Sequence, residues 1–274
     1  MAKIVGIYAA SHTPVMLNFP EQISAEERED IYGGFRRLGE LMRKARPDVL
    51  VVISDDHLHN FFLNNMPAFC IGATDRYPTP MEHWLKAERR VFPGDVRLSS
   101  HLLSSAFEAG FDPAFSMDLT LDHGTLTPLQ LAGMTNVALV PLLVNCVQPP
   151  LPTMRRALQW GHMLGDALRS YPGSERVAIL ATGGLSHDVA TPRMGTVNET
   201  FDHEFLRRLG EADDEALIRF ADDQVDSAGN GAEEIRTWLM AHAAADGAPF
   251  ETLLYCGVPR WYAGISIAHW RMAA

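Results

Sequence analysis

The feature that most restricts the fold is a run of apolar or small, β-prone residues, Val49 to Ser54, that ends in Asp55-Asp56-His57-Leu58-His59. A run of this kind, bounded by polar residues, reads as a strand buried on both faces. Ile4 to Ala10 is a second such run, ending at Ser11-His12-Thr13-Pro14. Between the two, Ser24 and Glu27 form a capping-box pattern, and Ile31, Phe35, Leu38 and Met42 follow at helical spacing. That helix runs to about Ala45, and Pro47 breaks it. Strand, helix, strand is a βαβ unit, which favours a parallel pair. The expected fold class is therefore α/β, a three-layer α/β/α sandwich around a mainly parallel or mixed sheet.

The alternation continues along the chain. Met66 to Gly72 contains a third strand, and residues 73–95, with Pro78, Pro80, Pro93 and Trp84, read as a lid-like excursion. A helix over 96–109 is stopped by Gly110. Phe115 to Leu121 alternates like a strand and leads to Asp122-His123-Gly124, with a short helix opening at Thr127-Pro128. Val137 to Val144 reads as a buried strand, with Pro141 as an argument against that assignment or for a place near an edge. A helix from about Thr153 to Ser170 precedes the strand Val177–Thr182, which runs into Gly183-Gly184-Leu185-Ser186-His187-Asp188. Helices are expected from Asn198 onward, then a turn at Ser227–Gly231. A helix follows that carries Glu233 and Glu234 in its first turn, and a closing strand ends near Trp270.

Composition narrows the function. The 274 residues hold 23 Lys+Arg against 34 Asp+Glu, a net charge of −11, which argues against a nucleic-acid partner. The three cysteines, Cys70, Cys146 and Cys256, form no CxxC pair, so a reducing cytoplasm is expected. No segment approaches the roughly 20 apolar residues a membrane span needs.

His12, His57, His123 and His187 each follow a strand-like run. Any one alone reads as a loop histidine. Together, on parallel strands, they converge on one sheet edge, where open α/β sheets bind ligands. Two imidazoles and a carboxylate make the facial triad that holds Fe(II) with open positions, and further histidines can move protons near neutral pH. The same ligands could serve a zinc-dependent hydrolase, and a non-catalytic binding protein could keep such a sheet.

Ser11-His12-Thr13-Pro14, Asp56-His57, Asp122-His123-Gly124 and Gly183-Gly184-Leu185-Ser186-His187 resemble, in order and spacing, the class III extradiol ring-cleavage dioxygenases. That family includes the protocatechuate 4,5-dioxygenase β subunit and 2,3-dihydroxyphenylpropionate dioxygenases. The resemblance implies a single catalytic domain over 1–274 that cleaves a catecholic ring beside its diol with Fe(II) and O2, in the catabolism of aromatic compounds, with lignin-derived ones among the candidates. It implies His12 and His57 as iron ligands. It also implies a third ligand four residues before a tryptophan, matching Glu234 before Trp238, with Glu233 as the rival. His187 matches the acid–base histidine and His123 a second one. A homo-oligomer is expected; the chain carries no obvious fused small α-type domain, so a small partner subunit is also compatible. Arg76, Lys86 and Arg193 are the cations considered for a substrate carboxylate.

Overall fold

A computed structural model describes residues 1–272. The strands are β1 (Lys3–Ala10), β2 (Val49–Asp55), β3 (Phe69–Gly72), β4 (Arg76–Thr79), β5 (Arg90–Pro93), β6 (Ala114–Ser116), β7 (Ala138–Val144), β8 (Arg176–Thr182), β9 (Phe250–Val258) and β10 (Ala263–Trp270). The helices are α1 (Val15–Asn18), α2 (Ala25–Ala45), α3 (Val96–Glu108), α4 (His123–Ala132), α5 (Met154–Ser170), α6 (Glu199–Leu209), α7 (Asp214–Ala228) and α8 (Ile235–Ala244). Eight strands form one sheet in the order β6-β3-β7-β2-β8-β1-β10-β9.

The middle of that sheet, β7-β2-β8-β1, is parallel. Parallel neighbours need long crossovers, and helices supply them. The flanks are mixed: β10 is antiparallel to both β1 and β9, and β3 is antiparallel to β7. Side chains alternate along each central strand. Ile7, Val51, Ile53 and Ile179 face the core shared with α3, α5, α6, α7 and α8. Tyr8, Leu50, Val52 and Leu180 face the core shared with α2 and α4. Helices on both faces make the three layers, as the sequence predicts. Each fully buried aliphatic side chain contributes on the order of 1.5–3 kcal/mol relative to exposure, so the strand ends are held firmly.

The helix α2 carries its capping box as read: Ser24 accepts from the Glu27 N–H, and Glu27 accepts from the Ser24 N–H. Several local expectations are corrected. Of the alternating stretch Phe115 to Leu121 only Phe115 and Ser116 lie in a strand, Ala114–Ser116, and α4 begins at His123 with Pro128 inside it. Pro141 lies in an interior strand, not near an edge. It pairs with Val52 of β2, while the β3 register on its other side stops at Ile71–Leu142, so its missing N–H is not needed there. Glu233 and Glu234 belong to a 3-10 turn, Asn230–Glu234, that precedes α8. The excursion 73–95 contains the β4–β5 hairpin. The strand β9 has no counterpart in the sequence reading.

Candidate active site

Because β8 lies between β1 and β2, the loops after β1 and β2 stand on either side of the Gly183-Gly184 turn that ends β8. His12 and His57 therefore face each other, with ring centroids 5.0 Å apart. The His123 ring lies 4.0 Å from that of His57 and 5.5 Å from that of His12. It arrives by a different route from the one expected. Asp122 caps α4 by accepting from the Gly124 N–H, which leaves His123 as the first residue of the helix and not the last of a strand. His187 follows the glycine turn, with Nε2 3.7 Å from Glu234 Oε1.

Each of the four imidazoles spends its Nδ1 on the protein. His12 Nδ1 donates to the Thr182 hydroxyl at 3.2 Å, which donates in turn to Ser54 Oγ at 2.8 Å. His57 Nδ1 meets Asp122 Oδ2 at 2.8 Å, and the same oxygen accepts from the His57 backbone N–H. His123 Nδ1 meets Glu82 Oε1 at 2.5 Å. His187 Nδ1 donates to the Leu185 carbonyl at 2.9 Å. A partner on Nδ1 sets the ring orientation and leaves Nε2 as the working nitrogen.

Those Nε2 atoms converge on a carboxylate. Glu234 Oε2 is 3.4 Å from His12 Nε2, and Oε1 is 3.6 Å from His57 Nε2. The glycine turn makes room for it. A Cβ on Gly183, whose φ is +115°, would lie 2.8 Å from Glu234 Oε2, and the Gly184 N–H donates to that oxygen at 2.6 Å. Trp238 Nε1 donates to the Gly183 carbonyl and the Thr237 hydroxyl to the Thr182 carbonyl, tying the start of α8 to the end of β8. Glu233 points elsewhere and pairs with Arg236. On the other side of the cluster, Gly231 is needed for His187: a Cβ there would lie 2.0 Å from its Nε2.

A second carboxylate completes the cluster. Asp55 is fully buried, with Oδ2 3.3 Å from His57 Nε2 and Oδ1 3.9 Å from His12 Nε2. Neither of its oxygens has a hydrogen-bond partner. A buried carboxylate with both oxygens unpartnered calls for a cation, and a divalent metal held by these groups would supply one. His12, Asp55, His57 and Glu234 each offer a ligand atom within one 4.8 Å group. Metal–nitrogen and metal–oxygen bonds of roughly 2.0–2.2 Å place neighbouring donors about 3–3.5 Å apart, near the separations seen. The donor set thus fits a divalent metal.

The electrostatics agree with such a site. Burial works to lower His12 and His57, but Glu234 and Asp55 outweigh it for His12, and Asp55 and Asp122 for His57, so both are raised. Burial raises Asp55 to about 7; at Glu234 burial also works upward, but the charges of His12 and His187 and hydrogen bonds from His12 and His57 overcome it and hold the carboxyl well below the usual carboxylate range. His123 behaves oppositely: burial and the neighbouring His57 lower it to about 4, which keeps it neutral at physiological pH.

A cavity of about 500 Å³ opens over this cluster, with all four histidines and Glu234 in its floor and Trp84, Trp261 and Met194 among its walls. Sequence reasoning missed Asp55 and Glu82. Asp55 stands two residues before His57 and had a signal in its position at the strand end. Glu82 had none: it lies in the proline-rich excursion, and only the fold brings it to His123. Arg76 is exposed on β4, away from the site, and neither Lys86 nor Arg193 lines the cavity.

Residues 6–265 match the family model for the catalytic LigB subunit of aromatic ring-opening dioxygenases. The chain belongs to this family of class III extradiol dioxygenases. LigB relatives named 2,3-dihydroxyphenylpropionate/2,3-dihydroxicinnamic acid 1,2-dioxygenase include one from Mycobacterium sp. (strain MCS), 30% identical over 316 residues that cover 97% of this chain and 98% of the relative. Another, from Photorhabdus laumondii, is 28% identical over 290 residues, 88% of each chain. Among solved structures, the uncharacterised protein JW3007 from Escherichia coli K12 has the same fold, with a TM-score of 0.66 at 14% identity over 97% of this chain and 100% of that one. The LigB assignment makes the chain a metal-dependent, ring-opening dioxygenase that acts on a small aromatic molecule and O2. No helix among the described residues is long and apolar enough to cross a membrane.

Proposed function

We propose that the chain is an Fe(II)-dependent extradiol dioxygenase that opens a catecholic ring beside its diol, with His12, His57 and Glu234 as the metal ligands. One observation carries this reading: Nε2 of His12 and of His57 meet the two oxygens of a single buried carboxylate, at 3.4 and 3.6 Å. Two histidines and one carboxylate leave positions open for a catechol and dioxygen, which a closed structural site would not. His12, His57 and Glu234 would hold Fe(II) there, and the metal would supply a lowered pKa for the catechol hydroxyls and electron density for dioxygen.

The protein's own residues do the rest. His187, with Nδ1 held by the Leu185 carbonyl, presents Nε2 as the base that takes a hydroxyl proton. His123, neutral and with its Nδ1–H given to Glu82, presents Nε2 to the cavity as an acceptor and so serves as a second site for a proton from the substrate. Trp84, from the excursion 73–95, lies 6.0 Å from the His123 ring and shields it from water. The whole chain is read as one catalytic domain, with that excursion as its lid-like wall. The product is a ring-opened semialdehyde acid.

The test is anaerobic reconstitution with Fe(II) and, in parallel, with Zn(II), followed by catechol and air. Catechol-dependent oxygen uptake with Fe(II) alone supports the reading. Activity confined to the Zn(II) form, on a hydrolysable substrate, would replace it with the zinc-hydrolase reading.

A further inference from the structure

Large apolar side chains exposed to solvent gather at the mouth of the active-site cavity. Leu58, Trp84, Val147, Val189 and Met194 all line it, and each is 36–56% exposed. They come from four separate segments of the chain, so no single helix face or strand accounts for the patch. Exposed apolar surface gathered around a cavity marks a ligand that brings apolar surface of its own.

The charged groups around the same mouth point the same way. Among the described residues, no lysine or arginine lines the cavity. Arg193 and Lys86, two cations considered from the sequence, are engaged elsewhere. Arg193 pairs with the buried Asp188 at 3.2 Å and donates to the Asp226 carbonyl. Lys86 donates to the Asn18 carbonyl at 2.8 Å and sits over the Phe19 ring. Two polar side chains of the wall are also occupied. Asn230 exchanges both of its side-chain hydrogen bonds with the Val189 backbone, and His59 faces Glu82 at 3.1 Å. A substrate carboxylate entering here would lose water, find no lysine or arginine in the cavity lining, and lie near the Asp188 carboxylate that Arg193 already pairs. Such a group pays for its desolvation without a partner.

We infer that the catechol this site takes carries an uncharged alkyl or aryl substituent, held by the apolar rim, and not a carboxylate-bearing side chain. This rests on the ring-opening reading above. It also sets this chain apart from the relatives whose names specify a propionate.

Two compounds of nearly equal size separate the cases: 3-propylcatechol and 2,3-dihydroxyphenylpropionate, with plain catechol as reference. Binding is measured without turnover, by quenching of tryptophan fluorescence under argon, since Trp84 and Trp261 line the cavity. Ring opening by the Fe(II)-loaded protein is then measured in air. The expected result is that 3-propylcatechol binds more tightly, and has a kcat/KM higher, than the propionate by about tenfold or more. Met194→Arg, which puts a cation at the rim, should narrow or reverse that ratio. Equal or better binding and turnover of the propionate by the unaltered protein overturns the inference while leaving ring opening intact. If none of the three compounds is opened, the ring-opening reading fails, and the argon titration still decides the preference of the cavity.

Discussion

Glu82 Oε1 accepts from both the backbone N–H and the ring Nδ1–H of His123, at 3.0 and 2.5 Å. A residue of the excursion thereby fixes a ring in the catalytic cavity, and it does so with two bonds from one oxygen. The pair holds the His123 ring in place and fixes which nitrogen faces the substrate. Loss of such an outer partner typically costs about 10–100-fold in activity. Glu82→Ala should therefore lower kcat by about that factor, with metal content and KM little changed. Glu82→Gln keeps an acceptor oxygen and should recover most of the rate. Steady-state kinetics with metal analysis of both variants checks this.

The two adjacent glutamates of the 3-10 turn should separate cleanly. Glu234 faces both histidines, whereas Glu233 pairs with Arg236. His12→Ala, His57→Ala and Glu234→Gln should each arrive without metal while retaining native circular dichroism. Glu233→Gln should keep its metal. Equal metal content in Glu234→Gln and the unaltered protein would remove Glu234 from the ligand set.

His187 is expected to govern chemistry and not metal retention. Its Nε2 reaches the site, but three ligands already suffice, and a fourth would block a position that the substrates need. His187→Ala should keep its metal and bind catechol, yet lose about 10²–10⁴-fold in turnover. Metal analysis, anaerobic catechol titration and single-turnover rates distinguish these effects. A variant that lost its metal would shift the acid–base assignment to His123.

Asp122 holds His57 from behind through both the ring and the backbone, and it caps α4 with its other oxygen. In Asp122→Asn the cap can persist, but an amide N–H2 can face the imidazole N–H. Metal affinity should fall by about 10–100-fold with the helix intact. Competition against a chelator measures it.

Metal affinity should also depend on pH in a definite direction. Metal binding requires neutral imidazoles, so protons compete for His12 and His57. Both are raised above the ordinary histidine value by the carboxylates around them, Glu234 and Asp55 for His12 and Asp55 and Asp122 for His57, against the effect of burial. Affinity is therefore greatest above those raised values and falls as the pH drops through them, beginning above pH 6.5. Chelator competition across pH 6–9 should show the decline. An affinity that stayed level until below the ordinary histidine value would contradict it.

What the sequence determined by itself was mostly local and periodic. Val49–Ser54 and Val177–Thr182 are strands because their β-prone runs bury both faces, and Ser24–Glu27 caps a helix because its reciprocal bonds close within one turn. Histidines after such strands were legible as one site because parallel neighbours end at the same sheet edge. Their exact company was not. Pro141 could join an interior strand only because β3 stops pairing just before it, and the short run at Ala114–Ser116 gave way to the cap of α4. The partnership of Glu82 with His123 spans 41 residues, and the unpartnered Asp55 carboxylate lies between two rings from different strands. Short-range patterns follow from backbone periodicity, which a sequence states directly. Contacts between segments far apart in the chain depend on how helices and loops pack over the sheet, and only the tertiary structure decides that.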